Sequence, residues 1–124
     1  MTPASVLVVD DDDDIREVLE LALVEQGYVV SQASNGRAAL EVVSHEMPSL
    51  ILLDMKMPVM SGWEFAAEFG RRYARRAPIV VISAAEDARR RAEEIGAQGW
   101  LGKPFELDEL LAIVEQNLGD GGAR

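Results

Sequence analysis

Cysteine is absent from this chain of 124 residues, and there is a single histidine, His45. Without cysteine, disulfide frameworks, zinc–thiolate sites and thiol catalysis are all excluded. With one histidine, histidine-based catalytic triads and clustered zinc ligands have too few residues to be built. We expect His45 to be a surface residue of a helix, with a phosphotransfer role as the alternative.

Long apolar runs and an excess of cations are also missing. No run approaches the roughly 20 apolar residues that a membrane-spanning helix needs, and residues 5–9 are too short for the core of a signal peptide. The 12 Lys and Arg against 22 Asp and Glu give a formal net charge of -10. This charge repels nucleic acid phosphates and favours solubility. We predict a soluble cytoplasmic protein that binds neither nucleic acid nor membranes directly.

The apolar pattern alternates between strands and helices. Continuous apolar runs at residues 6–9, 50–53 and 79–82 are typical of strands buried on both faces, and weaker strands are predicted at residues 28–32 and 99–101. Amphipathic helices are predicted after each strand, the last over about residues 107–118. This order predicts one α/β domain over residues 1–124, with a parallel sheet between helices, a core of about 5–118 and a flexible tail at 119–124.

Chemically active side chains follow the predicted strands. Asp10 and Asp11 follow the first strand, Asp54 the third, Ser83 the fourth and Lys103 the fifth. In open parallel sheets, ligands bind outside the carboxyl ends of the strands. Clustered carboxylates raise one another's pKa unless a cation intervenes, and Mg²⁺ suits such oxygen ligands. A metal would make phosphoryl transfer to a carboxylate feasible, with Lys103 as a point charge and Ser83 as a hydrogen-bond donor.

Four segments resemble the receiver domain of bacterial response regulators: VLVVDDD (6–12), LILLDMKMPVMSGWE (50–64), VVISAAE (80–86) and GWLGKPFE (99–106). The resemblance implies a doubly wound, flavodoxin-like fold with five parallel strands in the order 2-1-3-4-5. It implies a signalling switch of a two-component system or phosphorelay rather than an enzyme. Such a switch takes its phosphoryl group from a sensor histidine kinase or a phosphotransfer protein, and it catalyses its own magnesium-dependent phosphorylation and dephosphorylation.

The resemblance also assigns a role to each matching residue. Asp54 corresponds to the phosphoacceptor, Asp11 to the direct metal ligand and Asp10 to its partner, which acts through water. The backbone carbonyl of Lys56 completes the ligands of Mg²⁺, for which Mn²⁺ would substitute. The phosphoryl-binding and switch positions are Ser83, Ala84, Trp100, Lys103 and Pro104, the last after a peptide bond that is often cis. From its place beside Asp54, we further hypothesise that the Lys56 side chain prolongs the lifetime of the phosphoryl group.

A downstream protein is expected to read the surface of residues 86–117, and the chain is expected to be a monomer or a weak homodimer. No effector domain follows Leu118, which favours a single-domain regulator of the chemotaxis or phosphorelay type, although a piece of a longer protein would look the same. The alternatives are a receiver-like scaffold that is never phosphorylated, and a flavodoxin-like electron carrier. The latter would need a Ser/Thr/Gly-rich phosphate loop where this chain has five aspartates.

Overall fold

The computed structural model describes residues 3–74 and 76–122. Five strands alternate with five helices in these residues. In chain order the elements are β1 (Ser5–Val9), α1 (Asp13–Glu25), β2 (Val29–Ala33), α2 (Gly36–His45), β3 (Leu50–Asp54), α3 (Gly62–Tyr73), β4 (Ile79–Ala84), α4 (Ala85–Ile95), β5 (Gly99–Lys103) and α5 (Leu107–Gly122).

The strands form one parallel sheet in the order β2-β1-β3-β4-β5. The predicted fold class and strand order are therefore confirmed. Because all strands run in the same direction, their carboxyl ends lie along one edge of the sheet, which places residues distant in sequence next to each other.

The middle strands are buried on both faces, as their continuous apolar runs predict. Val6 and Val8 of β1 belong to the cluster that contains the buried side chains of α1 and α5. Leu7 and Val9 belong to the cluster that contains those of α2, α3 and α4. None of the four side chains is more than 1% exposed. The polar strand β2 lies at the sheet edge, where its residues are less buried.

Polar residues cap the starts of the first three helices. Asp12 is the N-cap of α1, and its carboxylate accepts hydrogen bonds from the backbone N–H groups of Asp14 and Ile15 at 2.9 and 3.2 Å. Asn35 caps α2 in the same manner, at 2.9 Å. Ser61 forms a reciprocal capping box with Glu64 at the start of α3. Each cap satisfies backbone donors that would otherwise lack a partner.

Several predicted boundaries need correction. Strand β5 extends to Lys103, beyond the predicted end at residue 101, because its last two residues pair with Ser83 and Ala84 of β4. Strand β4 extends to Ala84, two residues beyond its predicted apolar run, and helix α4 begins directly after it at Ala85. Helix α5 continues to Gly122, so residues 119–122 of the predicted tail are helical, and residues 123 and 124 lie outside the described part of the chain.

Within residues 3–74 and 76–122, no helix combines the length and the apolar character needed to cross a bilayer.

Candidate functional site at the carboxyl edge of the sheet

Three carboxylates converge at the carboxyl edge of the sheet. Asp10 follows β1 directly, Asp11 is next in the chain, and Asp54 is the last residue of β3, the neighbouring strand. One carboxylate oxygen from each of the three lies within 4.8 Å of the other two. The acidic cluster predicted from the sequence is therefore present.

Asp10 is the most constrained member of the cluster. The residue is 2% exposed, and its carboxylate accepts a hydrogen bond from the backbone N–H of Asp12 at 2.9 Å. Its other carboxylate oxygen lies 3.3 Å from the Lys103 Nζ. A buried carboxylate is tolerated only when such partners replace the water that it loses. The side chain of Asp10 is thus held in one orientation at the end of β1.

Lys103, the last residue of the edge strand β5, places a positive charge beside the carboxylates of Asp10 and Asp54. Its Nζ lies 3.3 Å from the Asp10 carboxylate and 3.9 Å from that of Asp54. Strand pairing fixes its backbone, because Lys103 is in register with Ala84 of β4. The peptide bond to Pro104 is cis, as the resemblance implies.

Asp54 is the member of the cluster with the clearest electrostatic strain. Burial, followed by repulsion from Asp10 and a weaker repulsion from Asp11, raises the pKa of its carboxyl to about 6. Lys103 and a hydrogen bond from the backbone of Met55 act in the opposite direction but do not cancel the rise. The side chain is 12% exposed, so part of it remains accessible to solvent. The cluster therefore carries more negative charge than Lys103 neutralises.

This excess charge fits a bound divalent cation. Carboxylate oxygens are hard ligands, and Mg²⁺ is held by one or two of them while it keeps several waters. The exposed Asp11 and the partly exposed Asp54 leave room for those waters, whereas Asp10 is enclosed. The residues present therefore suit Mg²⁺, with Asp10, Asp11 and Asp54 as its side-chain neighbours.

The remaining predicted site residues lie in β4 and β5 and in the loop after β3. Ser83 and Ala84 end β4, one and two positions beyond Ile82, the residue that pairs with Asp54. The side chain of Lys56 is exposed, two residues after Asp54. Trp100 points outward from β5 and is 44% exposed, with the Arg89 guanidinium 5.9 Å from its ring centroid.

Close backbone packing secures the segment that carries Asp54. A Cβ placed on Gly62 would lie 2.8 Å from both the Asp54 carbonyl oxygen and the Met55 Cα. The backbone N–H of Gly62 donates to the Met55 carbonyl at 2.8 Å. Only glycine permits this approach of α3 to the end of β3.

Other predicted candidates lie elsewhere. His45 is exposed at the end of α2, the end opposite to the site, which confirms the surface prediction. Arg71 and Arg72 both pair with Glu68 of α3, and Arg90 pairs with Asp87 of α4. These pairs have the i,i+3 or i,i+4 spacing that is typical of charged helix surfaces.

Sequence reasoning missed two features beside the site. The first is Arg16, whose guanidinium donates to the Asp10 carbonyl at 2.7 Å. The second is an open, mainly apolar groove of about 680 Å³ between α1 and the chain after Lys103, which Ile15, Val18 and Phe105 help to line. Val18 is 51% exposed, although it recurs at helical spacing with Ile15 and the buried Leu19. Helical spacing of apolar residues predicts an apolar face of a helix, but it does not predict whether the protein core covers that face.

Comparisons with known proteins agree with these features. The sequence model of the family described as "Response regulator receiver domain" matches residues 6–115. The regulatory protein AtoC of Escherichia coli is 36% identical over 115 residues, which cover 91% of this chain and 25% of AtoC. The response regulator MprA of Mycolicibacterium vanbaalenii is 36% identical over 127 residues, which cover 98% of this chain and 54% of MprA. This chain thus spans a quarter of one relative and about half of the other.

Solved structures are similar over nearly the whole chain. The chemotaxis response regulator CheY4 of Vibrio cholerae superposes with a TM-score of 0.86 at 35% identity. The match covers 94% of this chain and 100% of CheY4. The likeness therefore extends to both faces of the sheet and to the edge that carries the acidic cluster.

Proposed function

This chain belongs to the response regulator receiver domain family of two-component systems, and from that premise we propose that Asp54 is its phosphoacceptor. The observation that carries the proposal is the convergence of Asp10, Asp11 and Lys103 on the Asp54 carboxylate. Family membership excludes the flavodoxin-like electron carrier. The remaining alternative is a receiver-like scaffold that is never phosphorylated.

The proposed reaction moves one phosphoryl group between two proteins. An oxygen of the Asp54 carboxylate attacks the phosphorus of a phosphohistidine in the donor, and the new O–P bond forms as the N–P bond breaks. The electron pair of the N–P bond returns to the histidine ring, which takes up a proton. Lys103 attracts the phosphoryl oxygens, while the hydroxyl of Ser83 and the backbone N–H of Ala84 donate hydrogen bonds to them.

The cation proposed for this reaction is Mg²⁺, with Mn²⁺ as a substitute. Asp10, Asp11, Asp54 and the backbone carbonyl of Lys56 would hold it, directly or through water. When bound, the ion neutralises charge between the donor phosphoryl group and the carboxylates. The phosphoryl group would later be lost by hydrolysis: water attacks the phosphorus, the O–P bond to Asp54 breaks, and inorganic phosphate leaves as the carboxylate is restored.

Intact mass spectrometry with a small phosphodonor tests the proposal. Wild-type protein incubated with acetyl phosphate and Mg²⁺ is expected to gain the mass of one phosphoryl group, and Asp54→Asn is expected to gain none. Omission of Mg²⁺ in the presence of a chelator should abolish the gain. A wild type that gains no mass under conditions in which it binds Mg²⁺ would instead support the scaffold.

Signalling follows from a shift between two conformations. Phosphorylation would draw Ser83 towards the phosphoryl group and alter the surface of residues 86–117, which includes the exposed Trp100. A phosphoryl group can shift this equilibrium only by the difference between its interactions in the two states. A downstream protein would bind the altered surface.

The partners proposed are a sensor histidine kinase or a phosphotransfer protein upstream and a protein target downstream, all in the cytoplasm. A donor that reaches Asp54 would also contact the apolar groove beside Lys103, which offers area for a protein contact. We propose that residues 1–124 act as one domain, as a monomer or a weak homodimer.

Lys56 is proposed to slow loss of the phosphoryl group. Its exposed ammonium, two residues from Asp54, would attract the phosphoryl oxygens and hinder approach of water. An exposed ion pair contributes up to about 1 kcal/mol, so Lys56→Asn is expected to hydrolyse its phosphoryl group about two to five times faster. Decay of the phosphorylated mass after removal of acetyl phosphate measures the rate. An unchanged rate in Lys56→Asn, with Arg72→Gln as the charge-matched control, would refute this role.

A further inference from the structure

Arg16 joins three elements beside the acidic cluster. It lies in the second turn of α1, and its side chain is only 15% exposed. One terminal nitrogen donates to the Asp10 carbonyl at 2.7 Å, and the Nε donates to the Gln32 side-chain oxygen at 2.9 Å. The other terminal nitrogen pairs with Asp13 at 2.5 Å. The guanidinium therefore links the end of β1, the edge strand β2 and the start of α1.

The backbone N–H, the backbone carbonyl and the carboxylate of Asp10 each have a hydrogen-bond partner. Its backbone N–H donates to the Ala33 carbonyl at 3.1 Å, and its carboxylate contacts the Asp12 N–H and Lys103. Arg16 holds the remaining polar group, the Asp10 carbonyl, which lies at the point where the chain leaves β1 for α1. This turn also carries Asp11, so its geometry sets where both carboxylates point.

A simple surface ion pair does not account for this arrangement. Asp13 is 86% exposed, and an i,i+3 pair with such a partner contributes little to stability. The pair explains neither the bond to the Asp10 carbonyl nor the bond to Gln32. Gln32 is itself fixed, since its amide nitrogen donates to Glu20 at 2.6 Å. The planar guanidinium, with five donors in fixed directions, is suited to three partners at once, whereas an ammonium is not.

We propose that Arg16 is a positioning residue for the cation site: it fixes the turn after β1 so that Asp10 and Asp11 face Asp54. The inference rests on the proposed function, because it assumes that these carboxylates hold Mg²⁺. Groups that orient metal ligands without contacting the metal commonly change metal affinity by about 10- to 100-fold when they are replaced. Arg16 acts on the backbone of a ligand rather than on the ion.

A positioning role and a purely electrostatic role of Arg16 predict opposite changes in Mg²⁺ affinity when the residue is replaced. Arg16→Gln removes a positive charge beside a cation site, and charge alone would make Mg²⁺ bind more tightly. Positioning predicts weaker binding, by about ten-fold. Arg16→Lys keeps the charge but loses the planar set of donors, and it is expected to weaken binding by nearly as much as Arg16→Gln.

The test is a titration of ¹⁵N-labelled protein with Mg²⁺ followed by NMR, without any phosphodonor. The amide shifts of Asp11 and Asp12 give the dissociation constant, and the rest of the spectrum reports whether each variant is folded. Arg72→Gln is the matched control, since it removes the same charge from an ion-paired helix arginine, and its affinity should stay within about two-fold of wild type. Gln32→Ala leaves Arg16 in place but removes one of its supports, and about three-fold weaker binding is expected.

A kinetic measurement adds a second distinction. With acetyl phosphate, the Arg16 variants should need about ten times more Mg²⁺ for the half-maximal rate, while the rate at saturating Mg²⁺ stays close to wild type. Affinity of Arg16→Gln equal to or tighter than wild type, or wild-type affinity in Arg16→Lys, would overturn the positioning role. A wild type that shows no Mg²⁺-dependent shifts would instead overturn the proposed function, so the two failures are distinguishable.

Discussion

Asp54→Asn is expected to be more stable than the wild type by roughly 2 kcal/mol at pH 7.5 in the absence of divalent cations. Burial and the neighbouring carboxylates raise the pKa of Asp54 to about 6 from its ordinary value of 3.8. The folded state thus binds a proton more readily than the unfolded state between these values, and the stability of the wild type from this group falls as the pH rises through that window. Asparagine has nearly the same size and shape as aspartate but is neutral, so its burial beside Asp10 and Asp11 carries no electrostatic repulsion.

Urea unfolding of both proteins between pH 4 and pH 8 measures the difference. The advantage of Asp54→Asn should be near zero at pH 4, grow through pH 6 and be complete at pH 7.5. Asp108→Asn is the control, because it removes an equal charge from an exposed position in the first turn of α5. Saturating Mg²⁺ should reduce the advantage, since the ion relieves the same repulsion. A difference that does not change with pH would contradict the electrostatic account of the cluster.

Lys103→Met is expected to have the opposite effect, a loss of about 2 kcal/mol without Mg²⁺. Its Nζ is the charged partner of both the buried Asp10 and Asp54, at 3.3 and 3.9 Å. Methionine retains most of the side-chain length but leaves the carboxylates without a counter-charge. Breaking a pair that contains a buried charge destabilises more than loss of an exposed pair, because the remaining charge has no solvent to replace its partner.

The same unfolding assay tests this expectation with Lys56→Met as the matched control. Lys56 is the other lysine of the chain and its side chain is exposed, so its replacement changes the net charge equally and should alter stability by about 0.5 kcal/mol or less. Mg²⁺ should restore part of the stability of Lys103→Met. The loss should also be smaller in an Asp54→Asn background, because one carboxylate is already neutral. Equal stability of the two lysine variants would contradict the assigned role of Lys103.

The site could be predicted from the sequence because Asp10, Asp54 and Lys103 each lie at the carboxyl end of a strand. An apolar run ends directly before Asp10 and before Asp54, and the alternation of strands with helices predicts parallel strands, whose carboxyl ends lie together. The order of alternation follows from periodicity alone, whereas the strand order 2-1-3-4-5 came from the family resemblance. Both were confirmed.

Other features depend on tertiary contacts that a sequence pattern does not contain. Gly102 and Lys103 have low strand propensity, yet both continue β5 because β4 offers them partners. Helix α1 is apolar over most of its circumference, and only Leu19 and Leu23 are buried, so periodicity could not identify the exposed face. Arg16 resembles any arginine of an acidic helix until its distance to the Asp10 carbonyl is known.

Asp54 is proposed to carry the phosphoryl group, and chemical location of that group is the most direct test of its role. Borohydride reduces an aspartyl phosphate to homoserine, which peptide mass spectrometry then assigns to a position. After incubation with acetyl phosphate and Mg²⁺, homoserine is expected at position 54 and at no other aspartate. Homoserine at Asp10 or Asp11, or its absence from a protein that has gained phosphoryl mass, would contradict the account.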